Sequence, residues 1–206
     1  MTTGRERVGI ATRNTAEVQI KVELGLDGGP VEISLAVDNE ESNLGGLHIY
    51  EHFLAQIMRH GELGGNIQAK GDTTHHLLED LGGCIGDAFA QAIGAGSGIE
   101  RMWHSEVPLD GCFGEVTLDL GGRGNAYFDF STTANPEIAG MVQHMLTYMA
   151  YHGKFEIHCN IGRYPNAPAS VHHEMEALCK ALGRALHHAT RITRESSSIP
   201  STKEVL

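Results

Sequence analysis

The chain writes one short pattern twice. "HHLLE" occupies 75–79 and "HHEME" occupies 172–176, each a histidine pair followed three residues later by a glutamate, 97 positions apart. What precedes each copy is also repeated, and this constrains the fold more than any other feature. In the first half, "AEVQIKVELGL" and "PVEISLAV" alternate like strands around Asp27-Gly28-Gly29, which reads as a hairpin turn. Helical spacing follows from Leu47 to about His60, then a short strand "GGNIQAKG", then a helix from Thr74 to about Ile93 ended by "GAGSG". In the second half, "GEVTLDLGG" and "NAYFDFS" read as strands around a glycine-rich turn. Asn135-Pro136 starts a helix to about Tyr151, "KFEIHCNI" is a strand, and Ser170 caps a last helix to about Ala189. The expectation is an α+β fold of duplicated β-β-α-β-α half-domains, each a small sheet backed by two helices. Its divisions are residues 1–95, 96–190 and a polar, extended tail at 191–206.

At a helix start, HHxxE has definite geometry. Successive side chains diverge by about 100°, whereas residues three and four apart share a face. His75 and Glu79 therefore reach one point while His76 points elsewhere, and the second copy behaves alike. Adjacent imidazoles suit two different ions, or one ion and a neighbouring subunit's site. Histidine and carboxylate without thiolate favours Mn, Fe or Co, with Zn as a further choice. A single copy is more often a solvated feature, as "HH" at His187-His188 is read here, with the glutamates as ordinary first-turn acids. Two copies at matching places favour metal binding.

Composition narrows the partners. A formal charge of −11 disfavours nucleic acid and anionic membrane, since both repel it. With 41% hydrophobic and 20% charged residues, no apolar run of membrane-spanning length and no signal-peptide core in "MTTGRERVGI", the chain reads as soluble and globular. Cys84, Cys112, Cys159 and Cys179 lie far apart without a CxxC, which fits free thiols and a cytoplasmic setting.

Further stretches carry a resemblance to the imidazoleglycerol-phosphate dehydratase family over nearly the whole length. "RNTAEVQIKVELGLDG" resembles that family's opening strand, and "LGGLHIYEHFLAQIMRHG" is similar to its first helix, keeping an acid at Glu51, the histidine at His52 and the glutamine at Gln56. "THHLLEDLGGCIGDAF", "VHHEMEALCKALGRAL", "GIERM", "DLGGRG", "FEIHC" and "IPSTK" follow in order. The resemblance implies a hydro-lyase of histidine biosynthesis that converts imidazole glycerol phosphate to imidazole acetol phosphate. It implies two manganese ions per active site, at subunit contacts of a homo-oligomer, a 24-mer built from trimers. His52, His75, His76, His158, His172 and His173 would be metal ligands, with Glu79 and Glu176 as carboxylate ligands that also serve catalysis. Gln56, Arg101, Arg123, Ser201 and Lys203 would bind substrate, the last four its phosphate, and Glu17 would be an acid or base. From the residues alone, Glu17 is an exposed strand position within reach of Arg13, and Lys203 lies in a loose tail.

Four departures stand out. Only Thr73 and Thr74 separate Gly71-Asp72 from the first histidine pair. Ser170 replaces an asparagine after a loop lengthened by "YPNAPA". Glu51 replaces an aspartate, and Lys203-Glu204 replaces Lys-Gly. Two other readings remain open: a divergent two-metal enzyme for another phosphorylated or imidazole-like small molecule, and a non-catalytic metal-assembled shell. The shell needs no phosphate pocket, so Arg101, Arg123, Ser201 and Lys203 argue against it.

Overall fold

The computed structural model describes residues 7–39, 46–131, 133–193 and 198–206. The expectations for the first six residues and for 194–197 of the tail lie outside that range. The order is β1 (Val8–Asn14), β2 (Val18–Gly25), β3 (Gly28–Val37), α1 (Leu47–His60), β4 (Leu63–Gly71) and α2 (Thr74–Ile93). The second half follows with β5 (Met102–Leu109), β6 (Cys112–Asp119), β7 (Asn125–Asp129), α3 (Pro136–Gly153), β8 (Glu156–Arg163) and α4 (Val171–Thr190). The α+β class and the duplication are as expected, with one strand more at the start of each half. These two strands are sheet edges whose alternation is weak: β1 ends in exposed Thr12, Arg13 and Asn14, and β5 carries Pro108, which an edge tolerates.

The strand orders are β1-β2-β4-β3 and β5-β6-β8-β7, so the expected hairpin of β2 and β3 does not form, and β6 and β7 are likewise not paired. β4 lies between β2 and β3, antiparallel to the first and parallel to the second, and β8 does the same between β6 and β7. Asp27-Gly28-Gly29 thus opens a fork instead of closing a hairpin. Gly65 lets β4 enter that fork: its φ is 144°, and a Cβ there would lie 1.9 Å from the Glu23 carbonyl.

Each sheet turns one face to the helices, as the strict in–out alternation of β2 shows. The helices pair across the duplication, α1 on α4 and α2 on α3, and the two halves share one apolar core. Glycines let both pairs close. A Cβ on Gly86 would come 2.5 Å from the Met149 carbonyl, and one on Gly183 2.6 Å from that of Ile57. The four cysteines are free and buried. Among the described residues, no helix is long and apolar enough to cross a membrane.

Candidate metal centres and phosphate cleft

Helix starts fix both histidine pairs. Thr73 Oγ1 accepts from the His76 backbone N–H at 3.3 Å, and Ser170 Oγ from that of His173 at 3.4 Å. Both residues at the departing loops are therefore N-caps, which set the first turn and with it the direction of each imidazole.

Cross-pairing of the helices then builds two clusters, each from both halves. In the first, α1 brings His52 to His172 and Glu176 of α4, with one donor atom of each within 4.8 Å of the others. Glu176 Oε2 lies 3.0 Å from His52 Nε2 and 3.1 Å from His172 Nε2, and the rings stack at 5.0 Å. Gln56, one turn along α1, reaches His52 Nε2 at 3.5 Å, and Lys180 Nζ lies 2.7 Å from Glu176 Oε1. Burial pushes the Glu176 carboxyl up, but the hydrogen bonds from Lys180 and His52 outweigh it and hold it at about 2.

The second cluster joins His75 and Glu79 of α2 to His144 of α3. Glu79 Oε2 is 2.6 Å from His144 Nε2 and 3.5 Å from His75 Nε2, and these rings stack at 4.7 Å. Burial raises the Glu79 carboxyl, while hydrogen bonds from His144 and Tyr148 bring it below its ordinary value.

His144 was missed by motif reading, yet a signal exists. "HFLAQIMRHG" at 52–61 and "HMLTYMAYHG" at 144–153 share their histidines, leucine and glycine at the same offsets, so His144 is the duplicate of His52. The substitution of Tyr148 for Gln56 and loose matching elsewhere hide the repeat.

His76 turns away from the cluster, as the helical geometry requires. Its Nδ1 meets Asp72 at 2.8 Å, and that hydrogen bond raises the imidazole's affinity for a proton. His173 lies 3.5 Å from Asp110. Glu17 is exposed just ahead of β2, where it acts electrostatically on His76 and its carbonyl accepts from the Asp72 N–H. Arg13, expected beside Glu17, pairs with Asp80 at 2.8 Å. His158 joins neither cluster and sits on the open face of β8, 3.0 Å from Glu156. Glu51 accepts from the Leu35 N–H at 2.8 Å, tying α1 to β3. The expectation for His187-His188 needs correction at His188, whose ring stacks on Trp103 at 4.4 Å with Nδ1 buried.

Arg101, Arg123, Ser201 and Lys203 line one cleft of ≈ 720 Å³. The described part of the tail folds back here and is not extended: Arg101 donates to the Pro200 carbonyl at 2.7 Å, and Ser201–Glu204 form a turn. Asp119 holds the same guanidinium through two contacts, at 2.7 and 3.0 Å. Glycine backbone at 121–122 completes a cationic wall of the kind that suits a dianion.

Comparisons with known proteins give the chain's family. A family model described as imidazoleglycerol-phosphate dehydratase matches residues 45–186. The imidazoleglycerol-phosphate dehydratase of Dehalococcoides mccartyi (strain CBDB1) is 37% identical over 206 residues, 98% of each chain. That of Halobacterium salinarum is 34% identical, covering 96% of this chain and 97% of its own. The crystal structure of the Pyrococcus furiosus enzyme superposes with a TM-score of 0.75 at 27% identity, covering 95% of this chain and 99% of that one. The duplicated fold, its paired His–Glu clusters and these full-length relatives lead to one conclusion: the chain belongs to the imidazoleglycerol-phosphate dehydratase family.

Proposed function

We propose that the two His–carboxylate clusters each hold a divalent ion, manganese being the reading that the resemblance supports, and that they serve the dehydration of imidazole glycerol phosphate to imidazole acetol phosphate. The chain is a hydro-lyase of histidine biosynthesis. One observation carries the metal reading: the same donor set, two imidazoles and a carboxylate within 4.8 Å, is built twice at equivalent places of the duplication. Two nitrogens and one oxygen leave positions open for further ligands, as a catalytic ion needs. When bound, such an ion supplies Lewis acidity toward the substrate's imidazole.

The chain's own groups do the rest. His76 keeps Nδ1 on Asp72, which leaves Nε2 to face outward toward a further ion. Its divergence from His75, and that of His173 from His172, supports ions shared between neighbouring copies in a homo-oligomer, a 24-mer of trimers. The phosphate cleft shares no lining residue with either cluster, which fits an active site completed by another copy. Arg101, Arg123, Ser201 and Lys203 hold the phosphate and orient the reacting carbons. Gln56 steadies His52, Glu17 serves as an acid or base in the reaction, and the setting is cytoplasmic. His158, outside both clusters, has less support as a ligand than His144.

One variant per cluster tests this. His52→Ala and His144→Ala should each lower turnover of imidazole glycerol phosphate by at least the about 10–100-fold that loss of a supporting partner costs. Their circular dichroism should match the parent's. Parental turnover in both variants overturns the assignment.

A further inference from the structure

The duplication contains its own control experiment, because one pair of helix faces is written twice with different side chains. On α1 and α4, His52, Gln56 and His60 run beside Glu176, Lys180 and Arg184. On α3 and α2, His144, Tyr148 and His152 run beside Glu79, Gly83 and Asp87. The difference is sharpest at the ligand carboxylates. Glu176 has an ammonium 2.7 Å from its Oε1, with side-chain exposures of only 17% for Lys180 and 13% for Glu176. Glu79 receives a neutral phenol from Tyr148, and the position matching Lys180 is Gly83. A Cβ on Gly83 would stand 3.3 Å from His152 Nε2, so a side chain there must displace the His152 ring slightly.

The wider surroundings keep the same signs. Lys180, Arg59 and Arg184 all act on His60 beside the Glu176 cluster. Near Glu79, His152 meets Asp87 at 3.1 Å, and the cation within electrostatic reach, Arg13, is paired with Asp80 at 2.8 Å. A divalent ion at the Glu176 cluster must share its carboxylate with a little-exposed positive charge 2.7 Å away, and the partial burial of both groups weakens solvent screening of the repulsion. Among the described residues, no ammonium or guanidinium is paired with the Glu79 carboxylate itself.

We propose that the two metal centres are unequal: the Glu79 centre fills first, and the Lys180 ammonium holds the Glu176 centre to weaker binding. This rests on the reading that both clusters take up metal. Its sign is also opposite to that of an orienting partner, whose loss weakens a site. At limiting metal the chain therefore exists half-loaded, with the Glu79 centre occupied.

Equilibrium dialysis of chelator-stripped protein against graded Mn²⁺, with bound metal counted per chain, tests it. The parent should fill in two equal steps separated by about tenfold or more in free metal, the scale on which partners of a ligand act. Glu79→Gln should remove the tight step and Glu176→Gln the weak one. Lys180→Gln should tighten the weak step by about tenfold, and Lys180→Arg, which keeps the charge, should leave it in place. Unfolding midpoints of all four variants verify that each remains folded. Two ions of equal affinity in the parent overturn the inequality alone, as does a Lys180→Gln variant whose weak step is unchanged or weaker. Loss of the tight step in Glu176→Gln reverses the order and overturns it too. No bound metal at all overturns this proposal and the metal reading together.

Discussion

Glu17 is the acid–base candidate whose loss should leave both metal clusters intact, since it belongs to neither. Its carboxylate influences His76, so a proton passing there would move next to a histidine that faces outward. Glu17→Gln keeps the shape and removes the base. Turnover should fall by roughly 10²–10⁴-fold with bound metal unchanged, the usual contribution of a positioned acid or base. Full turnover in that variant would transfer the role to another group. Glu176 gives a prediction in pH. Its folded value of about 2 lies below the ordinary 4.5, so its pairing contributes stability that is complete above about pH 4.5 and lost as pH falls towards 2. Metal-free parent should therefore lose thermal stability across that window more steeply than Glu176→Gln. Equal slopes would mean that the Lys180 and His52 contacts contribute nothing in solution. Among the single residues, the approach of His75 to Glu79 and of His172 to Glu176 was legible because the five residues of each motif lie on one helix and contain their own geometry. His144 was not, because its partners are supplied by another helix 65 positions away.

At the scale of elements, the clusters depend on how closely α1 meets α4 and α2 meets α3. Gly183 allows the first approach, and a side chain there must push against the backbone of Ile57 and Gly61. Gly183→Val should cost about 1–3 kcal/mol in denaturant unfolding, the usual range for overpacking. It should also weaken metal binding at His52, His172 and Glu176, while the cluster on α2 and α3 changes less. A variant as stable as the parent would show that the helices have slack. The helices, their caps at Ser170 and Asn135, and six of the eight strands could be read from periodicity and capping residues. The strand order could not. Local alternation cannot say that a later strand will enter between two earlier ones, and edge strands with one half-covered face have little alternation to read.

Over the whole molecule, each helix stays on the sheet of its own half-repeat while the helices pair across the duplication, so both clusters are built from both halves. Each half supplies one complete HHxxE motif and one lone histidine to the other half's motif. The expected homo-oligomer extends the same logic between copies: chelation should shrink it towards trimers and manganese should restore it, as sedimentation would register. A chelator-indifferent monomer would remove the shared-ion arrangement. Metal dependence of the reaction is tested most directly by one measurement, turnover of imidazole glycerol phosphate and bound metal determined together on stripped and reloaded protein. Stripped protein should be inactive, and activity should return with manganese and level off at two ions per chain. Full turnover by metal-free protein would contradict it.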